Sequence, residues 1–281
     1  MKIVITGATG FIGRHVRNAL VQTDHKVSLV VRDPQRVGKK SANEEIIVAD
    51  LGQARKDWFE LFGEPDAVLH LAWGGLPNYT DNYHIDVELP MQSRFLTAII
   101  DSGLKKLVVT GTCYEYGLVS GAVSESQETN PNTPYGIAKD RLRAELFELQ
   151  SMRSCDLTWA RIFYPYGDGQ SEHSLYRQLM RAISNNEKEF AMGSGRQVLD
   201  FIHIEKVAKA LLVCVTKCNR MGIVNIGSGK PQSVADFVLD QIQKFHSNIV
   251  PRIGTISDRE YESVSFWSDN ARFESLLNSG N

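Results

Sequence analysis

MKIVITGATGFIGRHV opens the chain (residues 1–16), and three features follow one another in it without a break. Lys2 to Thr6 is almost continuously apolar and β-branched, the pattern of a strand buried on both faces of a parallel sheet. Gly7, Gly10 and Gly13 come next, three apart. His15 to Gln22 then carries helical periodicity through Val16, Leu20 and Val21. A glycine motif between a strand and a helix is the context a dinucleotide site requires. In that reading Gly7 allows the tight turn, Gly10 lets the backbone approach a pyrophosphate, and Gly13 lets the helix pack close to the strand. The free amides and partial positive charge of the helix N-terminus hold the phosphates. For the motif alone, the alternative is a glycine-rich turn that binds nothing.

Lys26 to Val31 (KVSLVV) is the next strand. In dinucleotide folds an acid at its end takes the ribose 2′-hydroxyl. Here that end reads Val31-Arg32-Asp33. Arg32 suits a 2′-phosphate, because a guanidinium forks onto phosphate oxygens. Asp33 serves a 2′-hydroxyl if the turn is one residue longer, and Arg32 as a plain solvent-facing residue is the third alternative. The balance favours NADP over NAD. Strand signals recur at Glu45–Val48, Ala67–Leu71 and Lys106–Val109, with helical patterns between them. This alternation predicts an α/β fold, a Rossmann-type doubly wound parallel sheet. Asp50 is placed at a strand end to reach the adenine, and small Ala72 leaves room for a flat ligand.

From about residue 164 the alternation loosens. Tyr164 to Gly169 reads as a loop, Leu175 to Ser184 as an amphipathic helix and Gly193 to Gln197 as a turn. The expected division is a dinucleotide-binding domain over 1–163, to which the chain returns around 200–226, and a smaller C-terminal substrate-binding lobe over 164–281.

With 281 residues the chain is long enough for a full core, and its formal net charge of −2 gives no basic footprint for nucleic acid. No apolar run approaches the roughly 20 residues that span a bilayer. The early glycines interrupt any secretory signal. The four cysteines (113, 155, 214, 218) form no paired framework. Cys214 and Cys218, four apart in a helical stretch, read as core packing, and no His cluster joins them to hold a metal. The expectation is a cytoplasmic, reducing environment with no metal, no nucleic acid and no membrane.

Two patterns carry the chemistry. Tyr135-Gly136-Ile137-Ala138-Lys139 is a YxxxK, which on a helix puts both side chains on one face. A Lys ammonium beside a phenol stabilises the phenolate, so Tyr135 can serve as acid or base near neutral pH. Alone, the pair also fits a solvated helix face. Thr112 follows the apolar run Leu107–Val109, and a hydroxyl at such a strand end points into the crevice where ligands bind. It can hydrogen-bond a carbonyl oxygen and help polarise it. Its alternative role is to cap a helix.

Taken together, these pieces resemble the extended short-chain dehydrogenase/reductases, in the NAD-dependent epimerase/dehydratase branch. The resemblance rests on Thr6 to Gly13, His70-Leu71-Ala72, Thr112 with Tyr116-Gly117, Tyr135 to Lys139, Arg161 to Gly167, Asp200 to His203 and Asn225 to Gly229. They run in family order over nearly the whole chain.

The resemblance implies catalytic roles for Thr112, Tyr135 and Lys139. It implies a cofactor site of Gly7, Thr9, Gly10, Phe11, Ile12, Gly13, Arg32, Asp50, Leu51, Leu71, Ala72, Trp73, Lys139 and Tyr164. It implies a nucleotide-diphosphate sugar as substrate, held by Tyr79, Thr112, Tyr114, Arg196 and Arg259. Arg177 is a further phosphate candidate, His84 a further sugar contact and Phe190 a ring to stack on a base. Leu199 stands where the family often has Arg, so Arg196 is expected to substitute. Trp73 replaces a commonly small residue and narrows the pocket.

Asp258-Arg259 with Glu262, the GTCYEYG stretch and the HLAWGGLPNY stretch are similar to bacterial dTDP-4-keto-6-deoxyhexose reductases. Reduction of a C4 ketone by NAD(P)H is therefore the expected activity. A C4 epimerase with tightly held NAD uses the same Tyr, Lys and Thr. A dehydratase needs an acid pair where this chain has Cys113-Tyr114. A non-catalytic NADP-binding regulator commonly loses the Tyr or Lys kept here. The family also implies a homodimer through paired helices, including the one carrying Tyr135.

Overall fold

The structure, a computed structural model, describes residues 1–217, 219–257, 261 and 263–278. Its centre is a seven-stranded sheet: β1 (Lys2–Thr6), β2 (Lys26–Val31), β3 (Glu44–Val48), β4 (Ala67–His70), β5 (Lys106–Thr112), β6 (Asp156–Ile162) and β7 (Gly222–Ile226). The spatial order is β7-β6-β5-β4-β1-β2-β3 and every pairing is parallel. Strand order reverses between β1 and β4, where open α/β sheets bind their ligands beyond the strand C-termini.

Alternation along each strand builds two cores. Ile3 and Ile5 face helices α1 (Phe11–Val21) and α4 (Ile204–Thr216). Val4, with Leu107 and Val109, faces α2 (Leu89–Asp101) and α3 (Pro134–Met152). All of these strand residues are fully buried. Helix α1 begins four residues before the periodic stretch, at Phe11 with Gly10 as its N-cap. Val21, read as part of its apolar face, is 36% exposed. Strand β5 runs three residues past Val109 to Thr112, so the hydroxyl closes the strand itself.

The rest of the chain forms smaller sheets. Gln232–Ser233, Val198–Leu199, Ser265–Ser268 and Ser120–Val123 lie side by side in that order. Tyr164–Tyr166, expected as loop, is a strand paired with Phe201–His203, because alternate ladder positions pack Tyr164 on Phe201 and Tyr166 on His203. Helix Leu175–Ser184 spans the expected residues and packs near Val234–Lys244 around Leu179, Val238 and Ile242. Asp200 is buried and ties this half together. Its carboxylate accepts from Ser228 N and Oγ, Gly229 N, and Ser268 N and Oγ at 2.6–3.1 Å. Cys214 lies buried within α4, and Cys218 is outside the described residues. Among the described residues, no helix is long and apolar enough to cross a membrane.

Candidate active site

The three glycines of the opening motif face different neighbours. Gly7 has φ +72°, and a Cβ there would lie 2.7 Å from Ala72 N and 2.8 Å from the Leu71 carbonyl carbon. A Cβ on Gly13 would overlap Gly7 O and lie 2.8 Å from Ala8 Cα. The protein itself therefore requires both. A Cβ on Gly10 would meet only Gly7 O, at 3.2 Å, and otherwise enter open space. Gly10 is exposed, and among the described residues no side chain caps the first-turn amides of α1. An open backbone against uncapped, dipole-oriented amides fits a pyrophosphate. Thr9, Phe11 and Ile12 around it are half-buried.

At the end of β2 Arg32 is exposed, whereas the Asp33 carboxylate accepts from Gln35 N at 3.0 Å and caps the turn Pro34–Val37. Asp50 is exposed and its Oδ1 accepts from Gly52 N at 2.9 Å. The Leu51 side chain, 9% exposed, packs in the core on the α2/α3 side of the sheet.

Thr112 closes β5 and caps the turn Cys113–Tyr116, its Oγ1 accepting from Tyr114 N at 3.3 Å. Tyr135 sits in the first turn of α3, 8% exposed, with the Thr112 side chain near enough to act on its phenol. Lys139, one turn on and 2% exposed, donates to Thr110 O at 2.9 Å and lies 3.9 Å from the Trp73 ring centroid. The three expected catalytic side chains thus meet at one end of β5.

Their electrostatics differ from the expectation that Lys139 depresses Tyr135. Burial holds the Tyr135 phenol above its usual range, the nearby Tyr79 hydroxyl adds to this, and the Thr112 side chain opposes it. Burial also pushes Lys139 down to about 7, with Glu115 and Glu88 opposing. The reason is that both groups are out of water, while the amine faces a carbonyl and an indole.

Aromatic rings wall this centre. His84, Tyr79, Trp73 and Tyr114 have ring centroids 5.2, 5.4, 6.1 and 6.2 Å from that of Tyr135. Tyr79 and Tyr114 stack at 5.0 Å and 21°. Trp73 Nε1 donates to His84 Nδ1 at 3.0 Å, and an indole N–H can only donate. His84 therefore carries its proton on Nε2 and donates it to Asn78 O at 3.0 Å. Tyr164 is half-buried, 6.3 Å from Tyr114.

Other expected contacts fall elsewhere. Phe190 is buried in the core of the C-terminal half with Met192, Val238 and Ile249, where apolar burial outcompetes display to a base. Arg177 is paired with Glu172 at 2.9 Å on the surface, because an acid five residues earlier lies within its reach. Arg196 is exposed, its N–H held by Ser194 Oγ at 3.2 Å. Asp258, Arg259 and Glu262 lie outside the described residues.

One group escaped the sequence reading. Glu115, 0% exposed, accepts from Thr112 N at 2.8 Å, Trp159 Nε1 at 2.9 Å and Arg161 Nε at 2.6 Å. The Thr112-x-x-Glu115 spacing is a capping-box signature and was the signal available. A Cβ on Gly111 would overlap the Trp159 indole nitrogen, so a glycine in β5 leaves room for this group.

Comparison with known proteins places this geometry. The profile of the NAD dependent epimerase/dehydratase family matches residues 3–227. The chain is 31% identical over 271 residues to the dTDP-6-deoxy-L-talose 4-dehydrogenase (NAD(+)) of Aggregatibacter actinomycetemcomitans, covering 95% of this chain and 99% of that one. It is 26% identical over 303 residues to the uncharacterized UDP-glucose epimerase YtcB of Bacillus subtilis, covering 99% and 92%. Among solved structures, MoeE5 in complex with UDP-glucose and NAD superposes with a TM-score of 0.83 at 26% identity, over 99% of this chain and 92% of that one.

Proposed function

The chain belongs to the NAD-dependent epimerase/dehydratase family, and on that premise we propose that it reduces the C4 ketone of a nucleotide-diphosphate 4-keto-6-deoxyhexose, with a dTDP-sugar favoured. The observation that carries this reading is the meeting of Tyr135, Thr112 and Lys139 beyond β5, on the same sheet edge as the open Gly10 backbone. The substrate class comes from the relative named as a dTDP-6-deoxy-L-talose 4-dehydrogenase, whose reaction in reverse is a C4 ketone reduction.

The amides at the start of α1, with Gly10, hold the pyrophosphate. Arg32 is the residue for a 2′-phosphate, so NADPH is preferred, while the NAD+ in the relative's name makes NADH the competitor to test. A reduced nicotinamide, when bound, supplies a hydride to C4. Tyr135 stays a neutral phenol at pH 7 and gives its proton to the oxygen at which negative charge develops. The Thr112 hydroxyl donates to that oxygen, and donors aimed there favour the transition state over the ground state. Lys139 holds the cofactor ribose, and Tyr79 and Tyr114 line the sugar, with Arg196 as a diphosphate partner. The first 163 residues and 200–226 serve the cofactor, and the remaining C-terminal residues serve the sugar nucleotide. Two copies are proposed to pair through helices including α3.

The test is oxidation of NADPH and NADH at 340 nm with dTDP-4-keto-6-deoxyglucose and its L-lyxo epimer. Consumption with either sugar supports the reductase, and its absence with both removes it. The second reading, an NAD-dependent C4 epimerase, is favoured by the near full-length match to an epimerase and needs the same Tyr, Thr and Lys. Protein that purifies with bound NAD and turns over a non-keto nucleotide sugar with none added would establish it.

A further inference from the structure

Behind Thr112 lies a buried ion pair that no step above uses. Three donors from two strands enclose the Glu115 carboxylate. The Thr112 amide comes from the end of β5, and the Trp159 indole and Arg161 guanidinium come from β6. In the sheet register Gly111 lies opposite Arg161, so the missing Gly111 side chain leaves a slot into which Glu115 folds back. Arg161 is itself 1% exposed, sits 4.5 Å over the Tyr116 ring and lies 3.9 Å from Asp140 of α3. Tyr116 in turn donates to Asn225 Oδ1 at 2.7 Å on β7. Neighbouring strands are thus cross-linked immediately beneath the candidate reacting groups.

A buried ion pair is a poor device for stability, because desolvation offsets most of its attraction. Its position suggests a different use. We propose that Glu115 is a positioning residue for the reaction. Its carboxylate fixes the Thr112 peptide beside Tyr135, and its negative charge, paired with Arg161, favours protons on Tyr135 and Lys139. This rests on the reading of Thr112, Tyr135 and Lys139 as the reacting set.

The charge environment supports it. Burial pushes the Glu115 carboxyl above its usual range while Arg161 opposes this, and in its ionised form Glu115 acts on both α3 groups in the same direction, favouring the protonated phenol and the protonated amine. The charged and titratable groups around it are Arg161 on β6, Asp140, Tyr135 and Lys139 on α3, and Cys113 and Tyr116 on its own turn. His70 and Glu88 face Lys139 from β4 and the turn before α2. Of the carboxylates, Glu115 touches the Thr112 peptide directly and acts on both Tyr135 and Lys139.

The test uses Glu115→Gln and Glu115→Asp in the full chain. NADPH affinity is measured by fluorescence from pH 5.5 to 9.5, alongside the pH profile of kcat. Gln keeps the shape and an acceptor but removes the charge. The midpoint for loss of NADPH affinity should move down by roughly one pH unit, as for removal of a neighbouring charge. Asp keeps the charge but is one methylene too short to hold the Thr112 amide. Its midpoint should stay, while kcat falls at least about tenfold with KM little changed.

Loss of thermal stability in Gln with an unmoved midpoint would reduce Glu115 to a structural role and overturn the proposal. If Gln does not fold, Asp decides: an unchanged kcat overturns the proposal, and a lowered kcat at unchanged midpoint supports it. The binding arm is independent of the sugar. Wild-type protein that binds NADPH yet reduces no ketone refutes the functional reading and still leaves Glu115 tested.

Discussion

Replacing Tyr135 by Phe removes one hydroxyl and little else. The ring is 8% exposed and packed by Trp73, Tyr79, His84 and Tyr114, all of which Phe retains. The interaction lost is the one with the nearby Thr112 side chain. Thr112 Oγ1 is not orphaned, since it still accepts from Tyr114 N. The folding cost is then no more than that of one ordinary hydrogen bond, about 1 kcal/mol. Catalysis loses far more. A donor aimed at a developing oxyanion contributes about 2.7–4 kcal/mol, or 10²–10³ in kcat. Loss of the general acid adds to this, so kcat should fall by about 10³ or more. NADPH affinity should not change, because the Gly10 backbone and the Lys139 contact to Thr110 are untouched. Single-turnover ketone reduction, NADPH titration and thermal melts measure the three quantities separately. A variant within tenfold of wild-type kcat would refute the assignment of Tyr135 as acid, and a matching loss of NADPH binding would refute its separation from the cofactor cradle.

Gly13→Ala forces the start of α1 away from β1, because the new methyl overlaps Gly7 O. It should cost about 1–3 kcal/mol of stability and weaken NADPH, visible as a lower Tm and a higher Kd. Asp200→Asn turns an amide donor towards groups that already donate. It should lower stability by about 3 kcal/mol in chemical denaturation, and a loss below about 0.5 kcal/mol would count against the carboxylate as the tie in the C-terminal half. Arg32→Ala should weaken NADPH about tenfold or more and leave NADH nearly unchanged, and equal effects on both would remove Arg32 from the 2′-phosphate. Lys139 sits near 7 in the free protein, and hydrogen bonds to a ribose raise it on binding. Affinity is therefore full below pH 7 and falls as pH rises above 7. Calorimetry at pH 8 in buffers of different ionisation enthalpy should show proton uptake, and none would argue against contact with the amine.

What could be read without a structure was local. A strand, a turn with three spaced glycines and a helix are fixed by side-chain period and backbone stereochemistry within about twenty residues. The same locality put Tyr135 and Lys139 on one helix face and Thr112 at a strand end. Alternation of strands and helices then left a doubly wound parallel sheet as the architecture.

Tertiary structure decided everything that depends on burial. It turned Phe190 into core, since apolar area is removed from water wherever the fold permits. It made Asp33 a turn cap and left Arg32 exposed at the end of β2. It withdrew Tyr135 and Lys139 from water, so that desolvation, a property of the whole packed neighbourhood, outweighs the pairwise attraction expected from their spacing. It also brought Glu115 against Trp159 and Arg161, residues 44 and 46 positions away, through a slot left by one missing side chain at Gly111. No period in the sequence records that meeting, because the register between β5 and β6 is set by the sheet as a whole.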